Sequence, residues 1–185
     1  MTKTNTKNKK DKLGLIHVYT GSGKGKTTAS LGVLLRALGH DYRVLMIQFM
    51  KGRKDTGEMK VMKKLSGLEI VQYAEEGLVN LESPSATDIY LANQALDYAR
   101  KRLSSKDGRP DILVMDELNV AVRFGLVPLE EVLDFIDNKP SSVELILTGR
   151  YAHPQIMDRA DLITEMKEVR HYYKKGVPAR KGIEM

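Results

Sequence analysis

The sequence predicts a single α/β domain built on a doubly wound, mainly parallel β-sheet with helices on both faces. Three observations support this fold class: the chain length, the continuity of the apolar runs, and the helical patterns between those runs. A chain of 185 residues is long enough for one hydrophobic core. Continuous apolar runs are typical of parallel strands that are buried on both faces. In such a sheet the ligand site lies at the carboxyl ends of the strands.

Five apolar runs predict the strands, and three helical patterns lie between them. The predicted strands are residues 15–19, 44–50, 68–73, 112–115 and 143–147. The predicted helices cover residues 27–38 and 86–103, with a third that opens at Pro128. The order of strand, helix and strand predicts right-handed crossover connections.

The composition excludes several classes of protein. The chain is 42% hydrophobic and 29% charged, and no apolar run approaches the roughly 18 residues of a membrane span, so we expect a soluble protein without a membrane partner. It has no cysteine, which excludes disulfides, thiolate metal sites and thiol nucleophiles. No apolar segment follows the basic N-terminus as a secretion signal would require, so we expect a cytoplasmic protein.

The net charge of +6 is concentrated at the N-terminus. Residues 1–12 contain five lysines and one aspartate and almost no apolar side chains. This composition predicts a disordered basic tail, followed by a folded domain over residues 13–185. The folded part shows no basic helix face with interleaved aromatic residues, so we expect no nucleic-acid partner. Ordering of the tail over a bound ligand is left open.

A glycine-rich loop between the first strand and the first helix predicts phosphate binding. It matches the pattern G-x-x-x-x-G-K-[ST] except that Thr20 replaces the first glycine. The glycines allow backbone N–H groups to turn toward an anion, Lys26 can reach the outer phosphates, and Thr27 can bind Mg²⁺. A simple connecting turn would not explain two lysines in so tight a loop, although Lys24 alone is equally well explained as a solvated charge. The predicted nucleotide-binding residues of the loop are Thr20, Gly21, Ser22, Gly23, Lys24, Gly25, Lys26, Thr27 and Thr28.

Two carboxylates follow the fourth strand and predict a metal site. Asp116 and Glu117 come directly after the run 112–115, as in a Walker B element. A carboxylate at this edge can hold Mg²⁺, or Mn²⁺ in its place, opposite the hydroxyl group of Thr27. The predicted metal ligands are therefore Thr27, Asp116 and Glu117, and which carboxylate is the inner ligand is left open. Together with the loop, this pair predicts a P-loop NTPase-like version of the fold.

Residues 18–29, with the sequence VYTGSGKGKTTA, resemble the phosphate loop of the bacterial P-loop type of ATP:corrinoid adenosyltransferases. In that family the threonine before the loop is usual. Further matches follow in the same order over about residues 14–184: RALGH at 36–40, QFMKG at 48–52, GE at 57–58, DELN at 116–119, LTGR at 147–150, ADLITEM at 160–166 and GVPARKGIE at 176–184.

The resemblance implies an enzyme in which the Co(I) of a reduced corrinoid such as cob(I)alamin attacks the 5′ carbon of ATP and displaces triphosphate. It implies catalytic roles for Lys26, Thr27 and Glu117 and nucleotide contacts from Arg36, Lys51 and Arg150. No general base is required, since cobalt is the nucleophile. The family also implies a homodimer, and a flavoprotein can serve as the reductant.

One segment departs from the family pattern. Members of the family carry a phenylalanine and a tryptophan after the third strand, which line the corrin and help to remove its lower axial ligand. Here the segment is Gly77-Leu78-Val79-Asn80, and the chain has no tryptophan. This departure predicts a less complete shield for the corrin. Two alternatives stay open at this point: a P-loop nucleoside or small-molecule kinase, and a non-catalytic protein that binds or delivers a corrinoid.

Overall fold

The computed structural model of the chain describes residues 13–62, 64–77 and 79–184. The predicted N-terminal tail, residues 1–12, and Leu78 of the departing segment lie outside these ranges. The disorder of the tail and the role of Leu78 therefore stay predictions.

Six parallel strands form one sheet in the described part of the chain. In chain order they are β1 (Ile16–Thr20), β2 (Val44–Phe49), β3 (Leu68–Tyr73), β4 (Ile112–Asp116), β5 (Glu144–Thr148) and β6 (Leu162–Glu165). Their order across the sheet is β3-β2-β4-β5-β1-β6, and every neighbouring pair is parallel. The predicted α/β fold with a parallel sheet is confirmed.

Helices connect the strands, and the longest of them has a well-defined start. The helices are α1 (Lys26–Leu38), α2 (Gly57–Met62), α3 (Ala86–Ser104), α4 (Leu118–Arg123), α5 (Leu129–Asp137) and α6 (Pro154–Met157), followed by a 3-10 helix at Tyr172–Lys175. At the start of α3 the Ser85 hydroxyl accepts a hydrogen bond from Asp88 N, and the Asp88 carboxylate accepts one from Ser85 N. None of the helices in the described ranges is both long and apolar enough to cross a membrane.

The central strands are buried on both faces, which explains their continuous apolar sequences. On β2, Leu45, Ile47 and Phe49 belong to the larger core cluster, which is formed with α3, α4 and α5. The alternate residues Val44 and Met46 belong to a second cluster under α1. Because successive side chains of a strand point to opposite faces, burial of both sets favours apolar residues at nearly every position, and Gln48 near the end of β2 is the buried polar exception.

The structure adds β6, which the pattern of apolar runs does not predict. All four residues of this strand are exposed, because it lies at the edge of the sheet beside β1. An exposed edge strand does not need an apolar run, so its sequence carries little signal. The predicted strand ends are also shifted: β4 extends to Asp116 and β5 to Thr148, which places both polar side chains within the sheet.

Candidate functional site

The phosphate loop lies at the carboxyl end of β1 and packs against the chain that follows β6. The N–H group of Gly23 donates a hydrogen bond of 2.6 Å to the carbonyl oxygen of Met166. A Cβ atom at Gly23 would lie only 2.7 Å from that oxygen, a distance that real Cβ atoms essentially never show. The sequence argument assigned the loop glycines to anion binding, and at Gly23 close packing is a second reason for glycine.

Lys26 is the more buried of the two lysines of the loop. Its side chain is buried, and its ammonium group donates to the carbonyl oxygens of Gly21 at 2.7 Å and Gly23 at 2.8 Å. Burial lowers its pKa, partly offset by the negative charges of Glu117 and Asp116. The amine is therefore held at the centre of the loop by neutral groups, which leaves its charge available to an anion.

Asp116, the last residue of β4, is fully buried and sits at the centre of a polar network. Its Oδ1 accepts hydrogen bonds from the hydroxyl groups of Thr27 at 2.9 Å and Thr148 at 2.6 Å. Its Oδ2 accepts from Lys51 Nζ at 2.6 Å and from Gln48 Nε2 at 3.2 Å. A carboxylate has about four acceptor positions, so these four donors use its full capacity.

Lys51 follows β2 and connects two of the three predicted metal ligands, Thr27 and Asp116. In addition to its ion pair with Asp116, its ammonium group donates to Thr27 Oγ1 at 3.0 Å. A positive charge thus lies between the hydroxyl and carboxylate groups that the sequence assigns to a metal. The attraction of Asp116 raises the pKa of Lys51 although burial alone would lower it.

Glu117 begins α4 and has an unusual backbone conformation. Its φ angle is 65°, in the left-handed region that few non-glycine residues adopt. Its N–H group donates to Thr148 Oγ1 at 3.0 Å, which fixes the turn between β4 and α4. Burial raises the pKa of its carboxyl group, with Lys51 as the main opposing charge.

The residues present fit a bound Mg²⁺ ion, although they do not form a complete protein cage. No cluster of three or more His, Cys, Asp or Glu side chains that could hold a metal occurs within the described ranges. Mg²⁺ is commonly held by one or two carboxylates together with phosphate oxygens and water, so Thr27, Asp116 and Glu117 suffice when a nucleotide is present. The Lys51 ammonium group between Thr27 and Asp116 shows that the position accepts a cation.

A cavity of about 890 Å³ joins these groups. Of the predicted site residues, it is lined by Ser22, Gly23, Lys24, Gly25, Lys26, Thr27, Thr28, Lys51, Glu117 and Arg150. The same cavity continues along α1 and α2, where its walls are apolar and include Leu31, Leu35 and Val61. One end is therefore charged and the other apolar, which suits a ligand that carries a phosphate chain on an organic body.

Two predicted residues of the loop face a different cavity. Thr20 and Gly21 line a smaller cavity of about 450 Å³, together with Tyr151 and Glu165. The Thr20 side chain accepts a hydrogen bond from Ala152 N at 3.3 Å. In this conformation Thr20 lies on the side of the loop that faces the smaller cavity and does not line the larger one.

The structure does not bring Arg36 to the phosphate loop. It lies in the last turn of α1, ten residues after Lys26, which is about 15 Å along a helix axis.

Lys24 lines the large cavity, and its ammonium group pairs with the carboxylate of Glu184 at 3.0 Å.

Several polar residues that contact this site were not predicted. They are Gln48 and Thr148, which bind Asp116, and Glu184, which lines the large cavity. A sequence signal existed for Gln48 and Thr148, since each is a polar residue within or at the end of an apolar strand. No comparable signal marks Glu184, because its contact with Lys24 spans 160 residues.

The segment that departs from the family pattern follows β3. The side chain of Asn80 is exposed, and its Oδ1 accepts a hydrogen bond from Glu82 N at 3.2 Å. Val79 is partly buried against the larger core cluster. The residue that replaces an aromatic side chain therefore serves a local turn.

Comparison with known proteins decides between the alternatives. A model of the family ATP:corrinoid adenosyltransferase BtuR/CobO/CobP matches residues 12–185. The chain belongs to this family. A corrinoid adenosyltransferase of Sinorhizobium is 35% identical over 179 residues, which is 95% of this chain and 82% of that protein.

Two further relatives agree with this assignment. A corrinoid adenosyltransferase of Pseudomonas aeruginosa is 35% identical over 95% of this chain and 85% of its own length. The corrinoid adenosyltransferase CobA of Salmonella typhimurium is 35% identical over 92% of this chain and 85% of its own length. The predicted family, function and enzyme class are confirmed: the chain is a transferase of the ATP:corrinoid adenosyltransferase family.

Proposed function

We propose that the phosphate loop and the acidic pair bind the triphosphate of ATP with Mg²⁺, and that the 5′ carbon is thereby presented to the Co(I) of a corrinoid. The observation that supports this proposal best is the hydrogen bond of 2.9 Å between Thr27 Oγ1 and Asp116 Oδ1. It joins the end of the phosphate loop to the end of β4, where a metal that bridges phosphate oxygens is bound in P-loop proteins.

In the proposed reaction, the electron pair of Co(I) forms the bond from cobalt to C5′. The bond between C5′ and oxygen breaks, and its electron pair leaves with the triphosphate. Negative charge therefore develops at the triphosphate end of the substrate. Lys26 would stabilise that charge, because its ammonium group is already held in a buried position at the loop. Loop N–H groups other than that of Gly23, which donates to Met166, would add to this stabilisation.

A divalent ion held by Thr27, Asp116 and Glu117 would supply further charge stabilisation to the leaving group. Lys51, Lys24 and Arg150 line the same cavity and add positive charge. Mn²⁺ has similar requirements for oxygen ligands and is proposed to substitute for Mg²⁺. Arg36 keeps its proposed nucleotide contact only as an implication of the family, since it lies at the other end of α1.

Product analysis tests the reaction directly. The protein is incubated under anaerobic conditions with cob(I)alamin and Mg-ATP, and the products are followed by the light-sensitive absorbance of adenosylcobalamin and by phosphorus NMR. We expect adenosylcobalamin and inorganic triphosphate in equal amounts. Formation of ADP in place of triphosphate would indicate phosphoryl transfer and contradict the proposal.

Replacement of the loop lysine tests the assignment of the site. Lys26→Ala removes a charge directed at phosphates, so we expect kcat/KM to fall by about 10²- to 10³-fold. Circular dichroism should show a folded domain, because the lysine contacts only the loop carbonyls. Lys106→Ala is the matched control, since it removes an exposed charge from the turn after α3. Equal activity of both variants would refute the phosphate-loop assignment.

The segment after β3 is proposed to shield the corrin less well than the aromatic pair of the family does. Support comes from Asn80, which is exposed and engaged in a local turn. We expect Asn80→Trp to increase the four-coordinate Co(II) signal in electron paramagnetic resonance spectra with Mg-ATP, because a bulky apolar side chain disfavours an axial water or base. A dominant four-coordinate signal in the unmodified protein would show that other residues provide the shield.

A homodimer, a flavoprotein reductant and a cytoplasmic location are also proposed on the strength of the family resemblance. Light scattering coupled to size-exclusion chromatography tests the first of these. A mass of twice 20.8 kDa is the expected result.

A further inference from the structure

We propose that Lys51 is a built-in counter-ion that occupies the divalent-cation position until the metal–nucleotide complex displaces it. This inference rests on the metal ligands proposed above. It assigns to Lys51 a role that differs from a fixed phosphate contact: the ammonium group holds the metal ligands in place in the absence of metal and then moves to the substrate.

The first observation is that Lys51 and a metal ion need the same oxygen atoms. Its Nζ lies 2.6 Å from Asp116 Oδ2 and 3.0 Å from Thr27 Oγ1. These are the carboxylate and hydroxyl groups that Mg²⁺ would contact at about 2.0–2.1 Å. Since Asp116 already accepts four hydrogen bonds, a metal ion must remove at least one donor before it can bind.

The second observation identifies which donor can leave. Gln48 and Thr148 are fully buried on strands, and the Gln48 amide is itself held by a hydrogen bond of 2.9 Å from Gln72. The Lys51 side chain is 31% exposed and reaches Asp116 from a loop. Only Lys51 combines a bond to Oδ2 with a path to solvent, so it is the donor that a metal replaces.

The third observation is that the backbone under Lys51 is fixed while its side chain is not. Met50 has a φ angle of 57°, and a Cβ atom at Gly52 would lie 2.1 Å from the carbonyl oxygen of Glu75. The constrained backbone of Met50 on one side of Lys51 and the close packing at Gly52 on the other restrict movement of its Cα atom. Displacement must therefore occur through the flexible four-carbon side chain.

The cavity supplies a second position for the displaced ammonium group. Lys51, Glu58 and Glu117 line the same space as the phosphate loop. A bound triphosphate adds negative charge there, so the ammonium group gains a new partner when it loses Asp116. A metal ion without nucleotide does not bring this added negative charge, so the repulsion between the two cations is offset less. Metal binding and nucleotide binding should for this reason be strongly coupled.

The test measures binding of Mn²⁺ alone, without nucleotide, by the loss of the free-ion signal in electron paramagnetic resonance. Lys51→Met keeps a long side chain and removes the charge. We expect it to bind Mn²⁺ at least about tenfold more tightly than the unmodified protein, because the metal no longer competes with a charged hydrogen bond. The matched control is Lys24→Met, which removes a charge from the same cavity without touching Asp116. A similar gain in both variants would overturn the inference, since it would reflect only net charge.

Thermal unfolding provides an independent measurement. Loss of Lys51 leaves Asp116 buried without a counter-charge, so the melting temperature of Lys51→Met should fall in the presence of a chelator. Mn²⁺ alone should restore it, whereas the unmodified protein should respond little. If Lys51→Met does not fold with chelator present, Lys51→Gln replaces it, since its amide can still donate to Asp116. Failure of Mn²⁺ to stabilise either variant more than the unmodified protein would contradict the inference.

One further variant separates this inference from the proposed metal site. Asp116→Asn in the Lys51→Met background should abolish the gain in Mn²⁺ affinity. If Asp116→Asn has no effect on Mn²⁺ binding even with ATP present, the metal site itself is wrongly assigned. If it abolishes that binding while Lys51→Met shows no gain, the metal site stands and only the role of Lys51 is refuted.

Discussion

Two buried carboxylates lie at opposite ends of neighbouring strands of the sheet, and they differ in the groups that bind them. Asp116 ends β4 at the carboxyl edge, where hydroxyl, amide and ammonium groups of side chains surround it. Glu144 begins β5 at the amino edge, where its Oε2 accepts hydrogen bonds from the backbone N–H groups of Gly14 at 2.7 Å and Leu15 at 2.9 Å. Its Oε1 lies 2.7 Å from His17 Nε2.

The difference between the two carboxylates indicates their roles. Backbone N–H groups cannot leave without moving the chain, so Glu144 fixes the start of β1 against β5. Two partners of Asp116, the Thr27 hydroxyl and the Lys51 ammonium group, belong to a helix start and a loop that face the cavity. A ligand can replace or recruit those groups. Burial alone therefore does not distinguish a structural carboxylate from a functional one, but the mobility of its partners does.

The largest expected effect is the loss of activity in Asp116→Asn. Removal of this charge weakens the proposed metal site, so kcat/KM should fall by about 10²-fold. The free energy of unfolding should fall less than in Glu144→Ala, because Asn keeps the size and one acceptor oxygen of Asp, and Lys51, which is 31% exposed, can reach water once its charged partner is gone. Steady-state kinetics and urea denaturation check the two parts. A large loss of stability without a loss of activity would reverse the proposed roles of the two carboxylates.

Glu144→Ala should give the opposite result. Its removal leaves the N–H groups of Gly14 and Leu15 and the ring of His17 without their carboxylate partner, so we expect the free energy of unfolding to fall by about 3 kcal/mol. The activity per folded molecule should stay within about twofold of the unmodified protein. Glu131→Ala is the control: its exposed ion pair with Arg100 should contribute less than about 1 kcal/mol.

Acid should produce the smallest effect and should act through Glu144. Burial tends to raise the pKa of this carboxyl group, but the hydrogen bonds from His17, Gly14 and Leu15 lower it overall in the folded state. Because the pKa of Glu144 is lower in the folded state, its carboxylate stabilises the protein fully at pH values above 4.5, the ordinary pKa of a glutamate. This stabilisation is lost as the pH falls through the pKa of the folded state. As the pH falls from about 5 to about 3, the unmodified protein should therefore lose more stability than Glu144→Gln. Urea denaturation at both pH values measures the two losses. An equal loss of stability in the unmodified protein and in Glu144→Gln would show that Glu144 is not the responsible group.

The sequence was sufficient to predict the central sheet and the two ends of the nucleotide site. Continuous apolar runs located β1 to β5, because strands buried on both faces leave few positions for polar residues. The phosphate loop and the acidic pair were found because each is a short local motif. By contrast, β6 was missed because its residues are exposed at an edge and need no particular pattern.

The side-chain contacts between residues far apart in the sequence could not be predicted. The family resemblance implied a nucleotide contact for Lys51, but its ion pair with Asp116 depends on the pairing of β2 with β4. Glu144 and His17 were visible as polar residues within apolar runs. Their contact, however, spans 127 residues and requires β1 to lie beside β5. Local patterns identify elements, whereas such pairs depend on the order of strands across the sheet.

The position of β1 in the sheet determines when the site can form during protein synthesis. This strand leaves the ribosome early, but its two neighbours are β5 and β6, near the other end of the chain. The hydrogen bond from Gly14 to Glu144 spans 130 residues, and Gly23 of the phosphate loop binds Met166. Strands β2 and β3 are consecutive and can pair much earlier, since contacts between distant segments form late. In a nascent chain, β1 and the loop that follows it therefore lack a sheet neighbour until β5 has been made, and the contact of Gly23 with Met166 forms only after β6.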